Sequence, residues 1–535
     1  MAEGAETDAD PVDAVLGRVM IAFQGLTVPP EIRRRLAEPA AGVTLFRPFN
    51  VRDAGQVREL TRELQACSRD PILIAADQEG GQLLALGDAG TAFPGAMALG
   101  ATDDPELAER VGRAIGREMR SMGITVNYAP VCDLAVEPAN QAIGVRSFGD
   151  DPVAVSRLAA ATVQGLQSAG VAAGIKHFPG LGAAQVDSHH GLPTVDGDAG
   201  QFQARELAPF AAAIESGARV VMSGHVATPG LTGNPTLPAT LSRSVMGELL
   251  RERLGFDGVT ITDALDMGAI SQGDDQIIDV LAALRAGVDL LLTMDEPTAR
   301  DRLEHGLRQV AARELLDGDE LRASARRLAA LRSWLAGFDE PDPSCVRCSE
   351  HEALAIEVAR RSTTLVRDDR RLLPLHLPSD ARLLAIMPRP LDLTPADTSS
   401  YVEPGLAPAL RAHHQLVDEI VVGRPPSDVE IADTRERATT SDLVVIGTIA
   451  ANLDPAQAHL VEAVLATGKP TITVALRTPF DLAAYPASAA HICTYGILRP
   501  SMHALGEAIF GRTPFGGRLP AAIRGIAGTG HGLVT

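Results

Sequence analysis

Eight short apolar runs, each followed by a longer stretch of helical spacing, fill the chain from Arg18 to Leu292, and few folds can accommodate such a repeat. The runs are Arg18–Phe23, Gly42–Phe46, Pro71–Ala76, Ile124–Tyr128, Val171–Ile175, Arg219–Ser223, Gly258–Thr262 and Val288–Leu292. Between them lie the helical patterns Val51–Gln65, Pro105–Met122, Pro152–Ala169, Gly200–Ser216, Ser242–Arg253 and Asp274–Ala286. Two of these open on an aspartate before a proline, at Asp104–Pro105 and Asp151–Pro152, an N-cap followed by the residue best suited to the first helical position. Strands that are apolar along their length and separated by helices form a parallel sheet covered on both faces, and eight strands close a barrel. The expected fold is therefore α/β, a (β/α)8 barrel over residues 1–336. At 535 residues the chain is too long for that barrel alone. A Pro- and acid-containing linker over 337–349 leads to a smaller open α/β domain over 350–535, with strands expected at Arg382–Met387, Asp442–Gly447 and Thr471–Leu476 and a loop from Pro388 to Pro408.

Polar residues collect where the strands end. The third run is followed by Asp77-Gln78-Glu79-Gly80-Gly81, the fifth by Lys176-His177, the sixth by Gly224-His225 and the seventh by Asp263. Barrel enzymes carry their sites at the C-terminal strand ends. The stretch Gly174–Pro193, GIKHFPGLGAAQVDSHHGLP, reads as a buried strand that empties into a long loop loaded with titratable groups. Within it, Asp187 lies close enough to His189 to fix an imidazole tautomer and stabilise an imidazolium. A carboxylate such as Asp263 at the end of a buried strand can serve as a nucleophile or cap the next helix, and on the residues alone both readings stay open.

Charge and cysteine usage exclude other classes. A formal net charge of −20 repels phosphate backbones and anionic membrane surfaces, so no nucleic-acid or membrane partner is expected. No apolar run approaches the length that spans a bilayer. The acidic start, Met1 to Asp13, has no apolar h-region, and five scattered cysteines make no disulfide framework, so the expected compartment is the cytoplasm. Cys345 and Cys348 form a lone CxxC in the linker, without the second pair a zinc site needs. Neither a metal nor a cofactor is expected. Aromatic residues make up 3% of the chain, so a sugar site here would depend on hydrogen bonds more than on stacking platforms.

Taken together, these motifs resemble glycoside hydrolase family 3, in particular its β-N-acetylglucosaminidase branch. The resemblance rests on Asp77-Gln78-Glu79-Gly80-Gly81, Asn127-Tyr128-Ala129-Pro130-Val131-Cys132-Asp133, Gly144-Val145-Arg146-Ser147-Phe148-Gly149 and Lys176-His177-Phe178-Pro179-Gly180. It continues through Asp187-Ser188-His189, Val221-Met222-Ser223-Gly224-His225 and Thr262-Asp263-Ala264-Leu265-Asp266-Met267, in the family's order. It implies a TIM-like barrel followed by an α/β sandwich domain, and retaining exo-hydrolysis of a β-glycoside through a covalent glycosyl-enzyme. It also implies Asp263 as nucleophile, His189 as general acid/base paired with Asp187, and Asp77, Arg146, Lys176 and His177 as residues that hold the sugar. The implied partner is a small carbohydrate ending in β-linked N-acetylglucosamine, such as a cell-wall fragment.

The chain departs from the branch at three recognition positions. Gln82 and Ala85 stand where two arginines are usual, and Leu181 replaces the second histidine of KHFPGHG. These departures predict weakened affinity for simple N-acetylglucosaminides or a preference for an altered sugar, unless a neighbouring cation substitutes. A phosphorylase or a β-glucosidase of the same family remains open. So do two readings of another class: a Schiff-base lyase using Lys176, if burial lowers its pKa, and a non-catalytic sugar-binding descendant. Gly180-Leu181-Gly182 fails the dinucleotide fingerprint, because its third glycine is replaced by Gln185.

Overall fold

The computed structural model describes residues 10–293 and 295–534; residues 1–9 of the acidic N-terminal stretch lie outside the described residues. All eight expected apolar runs contain strands: β1 (Val19–Ile21), β2 (Gly42–Leu45), β3 (Leu73–Ala76), β4 (Val126–Asn127), β5 (Ala172–Phe178), β6 (Val220–Ser223), β7 (Val259–Thr262) and β8 (Leu291–Leu292). They pair in parallel in the order β8-β1-β2-β3-β4-β5-β6-β7. A parallel bridge between Ile261 and Leu290 brings the two ends together, with Thr262 N–H donating to the Leu290 carbonyl at 3.0 Å.

The side-chain period of two sorts each strand between two cores. From β3, Leu73 and Ala75 join Met20, Val126, Tyr128, Ala172, Met222 and Ile261 inside the barrel, while Ile74 and Ala76 face the surrounding helices. Helix Gly318–Leu335 adds Leu328, Leu331 and Leu335 to the inner cluster. Arg332 of this helix donates to the carbonyls of Ala40 and Ala41 at the start of β2, so the helix covers the N-terminal end of the barrel and leaves the other end open. The two Asp-Pro helix starts cap as expected, Asp104 accepting from Leu107 N–H and Asp151 from Val153 N–H. Two helical patterns divide differently from expectation: Gly200–Ser216 becomes Ala199–Ala204 and Leu207–Glu215, and Ser242–Arg253 becomes a π-helical stretch, Ser244–Arg253.

Beyond residue 349 lies a second, six-stranded sheet flanked by helices, the α/β sandwich. Its strands are β9 (Thr364–Asp368), β10 (Leu383–Pro388), β11 (Val417–Val422), β12 (Leu443–Thr448), β13 (Thr471–Ala475) and β14 (Ala490–Cys493), in the order β9-β14-β13-β12-β10-β11 with only β9 antiparallel. Three were expected from the sequence. Of the others, β9 and β11 are edge strands, and β11 carries an exposed Asp418 next to a half-buried Glu419, which interrupts its apolar pattern. Residues 337–349 pack onto the barrel, with Cys345 buried and Arg347 N–H donating to Glu118. The C-terminal segment also returns to the barrel, where Arg518 N–H donates to Ala101 and Asp150 N–H to the Pro520 carbonyl.

The stretch 389–405 after β10 is an arm that reaches the open end of the barrel. Thr398 donates both its N–H and its hydroxyl to the Gln82 carbonyl at 2.9 Å, and accepts from Leu84 N–H at 3.2 Å. The arm is anchored by Asp397, whose side chain is fully buried and accepts from Arg477 (2.7 Å), Leu393 N–H and Ser399 N–H. Removing one partner of a buried ion pair leaves an uncompensated charge, typically at a cost of about 3–5 kcal/mol. Arg477→Met is therefore expected to lower the urea midpoint markedly, and adding Asp397→Asn to recover part of the loss. A single variant as stable as the wild type would show that other contacts hold the arm.

Candidate active site

The open end of the barrel holds a cavity of about 440 Å³ whose walls come from both domains. All six candidate residues that end barrel strands or sit on their loops line it: Asp77, Arg146, Lys176, His177, His189 and Asp263. Asp187, the seventh, stands behind His189. Phe46, Phe49 and Tyr401 also reach the cavity, so aromatic surface is present despite the low overall content.

One side of the cavity is a buried ion network. The Lys176 ammonium, 2% exposed, lies between Asp77 and Glu79, with Glu79 Oε1 at 2.6 Å. Glu79 accepts a second, two-pronged contact from Arg146 at 2.8 and 2.9 Å. Burial raises the cost of the Glu79 charge, but Arg146 and Lys176 outweigh it and hold its carboxyl at about 2. Burial likewise opposes the Lys176 charge, and Asp77 and Glu79 overcome it, raising its pKa above the usual lysine value. An ammonium held between two carboxylates has no free lone pair for carbonyl chemistry, which speaks against a Schiff-base role. Glu79 was not among the candidates from sequence, although the motif that carries it was; its partners became visible only once the fold placed Lys176 and Arg146 around it.

His177 is fixed from behind. Its Nδ1 lies 2.7 Å from Asp133 Oδ2, and its own N–H donates to the same oxygen at 3.2 Å. The other oxygen of Asp133 accepts from Leu181 N–H at 2.6 Å. Asp133 is thus a buried clamp that sets both the imidazole and the first turn of the loop after β5. That loop runs against the β4 loop so closely that a Cβ on Gly182 would stand 2.0 Å from the Leu134 carbonyl. Leu181, a departure from the family's motif, is buried and lines the cavity as an apolar anchor.

On the opposite side, Asp187 Oδ1 accepts from the His189 N–H at 2.9 Å and lies 2.6 Å from its Nδ1. With Nδ1–H committed to the carboxylate, Nε2 is the nitrogen left for a ligand. Burial pushes the imidazole down, but the hydrogen bond and charge of Asp187 outweigh it and raise its pKa above the ordinary histidine value. At the end of β7, Asp263 accepts from Ala264 N–H at 2.8 Å. Burial works against its charge, yet the His177, His225 and His189 imidazoles hold the carboxyl below the usual carboxylate range. His225 is fully buried between the Thr240 hydroxyl and the Ala264 carbonyl, and burial keeps its pKa low. The cavity therefore presents an ionised carboxylate and an imidazole that carries its proton to higher pH than usual. Among the described residues, no group of three or more His, Cys, Asp or Glu side chains is placed to hold a metal ion. Among the same residues, no helix is long and apolar enough to cross a membrane.

A model of the glycosyl hydrolase family 3 N-terminal domain matches residues 20–331. The chain belongs to glycoside hydrolase family 3. It is 30% identical over 552 aligned residues to beta-hexosaminidase A of Pseudoalteromonas piscicida, covering 93% of this chain and 92% of that one. It is 37% identical over 294 residues to a beta-hexosaminidase of Chromobacterium violaceum, covering 54% of this chain and 81% of the relative. The solved structure of a family 3 beta-N-acetylglucosaminidase from Paenibacillus sp. superposes with a TM-score of 0.90 at 34% identity, over 96% of this chain and 98% of that one. A beta-glucoside phosphorylase shares the fold, with a TM-score of 0.79 at 22% identity. The protein is a glycoside hydrolase, and its substrate is a carbohydrate.

Because Lys176 is held as an ammonium, incubation with a carbonyl compound and borohydride should leave its mass unchanged at neutral pH. A reduced adduct mapped to Lys176 would contradict an ammonium at this position.

Proposed function

We propose that this enzyme is a retaining exo-β-N-acetylglucosaminidase in which Asp263 is the nucleophile and the His189–Asp187 dyad moves the proton. The observation that carries the reading is the convergence in one cavity of an ionised Asp263 and a His189 whose Nδ1 is committed to a carboxylate. The names of the relatives support the sugar. The Asp263 carboxylate attacks the anomeric carbon, the bond to the aglycone oxygen breaks, and that oxygen takes the proton from His189 Nε2. A water then loses a proton to His189 and attacks the same carbon, releasing Asp263 and giving net retention. Asp187 remains ionised throughout and stabilises the imidazolium, as an aspartate does in hydrolase triads. Asp77, Lys176, Arg146 and His177 hold the sugar hydroxyls, in fixed positions set by Glu79 and Asp133. Cell-wall fragments met in the cytoplasm are the proposed natural substrates, a compartment in keeping with five free thiols.

A panel of aryl β-glycosides, assayed with and without phosphate, tests the sugar and the acceptor. N-acetylglucosaminides should turn over fastest and without need of phosphate; strict dependence on phosphate would make the enzyme a phosphorylase. General acid catalysis typically contributes ~10²–10⁴-fold. His189→Ala should therefore lose about that factor on poor leaving groups and far less on activated nitrophenyl ones. An equal loss on both would assign His189 a structural role.

The same reading predicts the shape of the pH profile. In kcat/KM, the acid limb belongs to Asp263 and should fall only below the ordinary carboxylate range, because its pKa is lowered. The alkaline limb belongs to His189 and should lie above the ordinary histidine value, because its pKa is raised. Asp187→Asn removes the group that raises it, so the alkaline limb should move to lower pH while the acid limb stays. An unmoved alkaline limb would separate Asp187 from the proton transfer.

A further inference from the structure

Arg47, the first residue of the short helix Arg47–Asn50 after β2, is a half-buried cation without a close carboxylate partner. Its side chain is 11% exposed, yet among the described residues its guanidinium makes no hydrogen bond. Its nearest carboxylate is Asp88, 3.9 Å away and itself 94% exposed. What holds it is packing. The guanidinium lies 4.2 Å over the ring of Tyr401, on the arm of the second domain. Below it is Gly87, with a φ of +51°, where any Cβ would come within 2.5 Å of the Arg47 Nε. The turn that carries it is fixed by Asn50, which accepts from Phe46 N–H and donates to the Phe23 and Gly25 carbonyls. Stacking occupies the faces of a guanidinium and leaves its in-plane N–H donors free. Arg47 lines the cavity that holds Asp263, and also a neighbouring cavity lined by Gly87, Asp88 and Tyr401.

We infer that Arg47 is a substrate-binding residue that reads the hydroxyls of the terminal sugar remote from the anomeric carbon, with Tyr401 and Gly87 as its positioning residues. This role rests on the glycosidase reading above. Three observations support it. First, Ala85 follows the short hairpin of Gln78–Gly80 and Leu83–Leu84 and lines the same cavity two residues from Gly87, so a small side chain there leaves room for the arginine that follows β2. Second, barrel geometry sets the direction. In the strand order β2 lies beside β3, which carries Asp77, and three strands from β7 by the shorter way round. Asp263 at the end of β7 lies across the barrel mouth from the β2 and β3 ends, so a ring whose anomeric carbon meets Asp263 has the Arg47 side of the cavity open to its remote hydroxyls. Third, charge sets the ligand. Of the five aspartates that line the cavity, Asp77 and Asp397 are paired with Lys176 and Arg477, and the His189 imidazole is paired with Asp187; among the described residues Asp263, Asp266 and Asp392 form no ion pair. An anionic substituent would meet a net negative wall, whereas neutral hydroxyl oxygens can accept from the free donors.

The test is a cycle between protein and substrate. Arg47→Met keeps the bulk and removes the donors. It is assayed with the wild type on the p-nitrophenyl β-glycoside that the wild type turns over fastest, and on the 4-deoxy and 6-deoxy forms of that sugar. Wild-type turnover of the parent glycoside checks the underlying glycosidase reading separately. Arg47→Met should lose roughly 10- to 100-fold in kcat/KM on the parent, the scale of one charge-assisted hydrogen bond. The wild type should lose a comparable factor on one deoxy sugar, and the variant should lose little more on that sugar. An equal loss on the parent and on both deoxy sugars would overturn the inference, as would no loss at all. Tyr401 is 53% exposed, so Tyr401→Leu leaves the fold intact. That variant should show a smaller loss with the same dependence on the deoxy position; a loss blind to that position would likewise overturn the assignment.

Discussion

Glu79 is a carboxylate with almost no access to water, and the cavity is arranged around keeping it charged. Two cations supply that stability, Arg146 with two contacts and Lys176 with one. Each cation in turn is buried and depends on Glu79, so the three form a set in which removing one strands the others. Because the folded pKa of Glu79 is depressed to about 2, its contribution to stability is present above the ordinary glutamate range and is lost as pH falls toward that value. The network fixes the Lys176 ammonium and the Arg146 guanidinium in position before any sugar arrives. Donors fixed in advance bind hydroxyls without an ordering cost at the moment of binding.

The rest of the site is built on the same plan, with a charged or polar side chain held by a carboxylate behind it. Asp133 fixes His177, Asp187 fixes His189, and Asp397 with Arg477 fixes the arm. The barrel supplies strand ends that point into one cavity, while the second domain supplies a wall through residues 389–405. That arm is the reason the two domains form one functional unit. Its docking onto the hairpin at Gln82 and Leu84 also explains the fate of one unusual position. Gln82 donates to the Ala396 carbonyl at 3.1 Å, so it serves the contact between domains and does not line the cavity.

Much of this was legible in the chain. Eight apolar runs separated by helical patterns carried the barrel, since strands buried on both faces stand out as unbroken apolar stretches. The polar residues after β3, β5 and β7 carried the site, because barrel topology alone brings those ends together. What the sequence hid were contacts between distant segments. Nothing near Glu79 announces Arg146, and nothing near Arg47 announces Tyr401, which belongs to the other domain. The arm over residues 389–405 lies within a stretch, Pro388 to Pro408, that read as a loop because its prolines and aspartates fit a turn as well as a docking segment. Edge strands β9 and β11 were hidden by their polar outer faces. The departures at Gln82 and Ala85 suggested a lost contact; Arg47, which sequence reasoning did not single out, lines the same cavity as Ala85.

An ionised Asp263 facing a protonated His189 across one sugar is the centre of the proposed mechanism. A fluorinated glycosyl fluoride that forms a slowly hydrolysed glycosyl-enzyme probes it most directly, with peptide mapping of the labelled residue. One sugar per chain is expected, carried on Asp263, with activity returning as the label hydrolyses. A label on Glu79 or Asp266, with turnover retained in Asp263→Ala, would contradict the assignment.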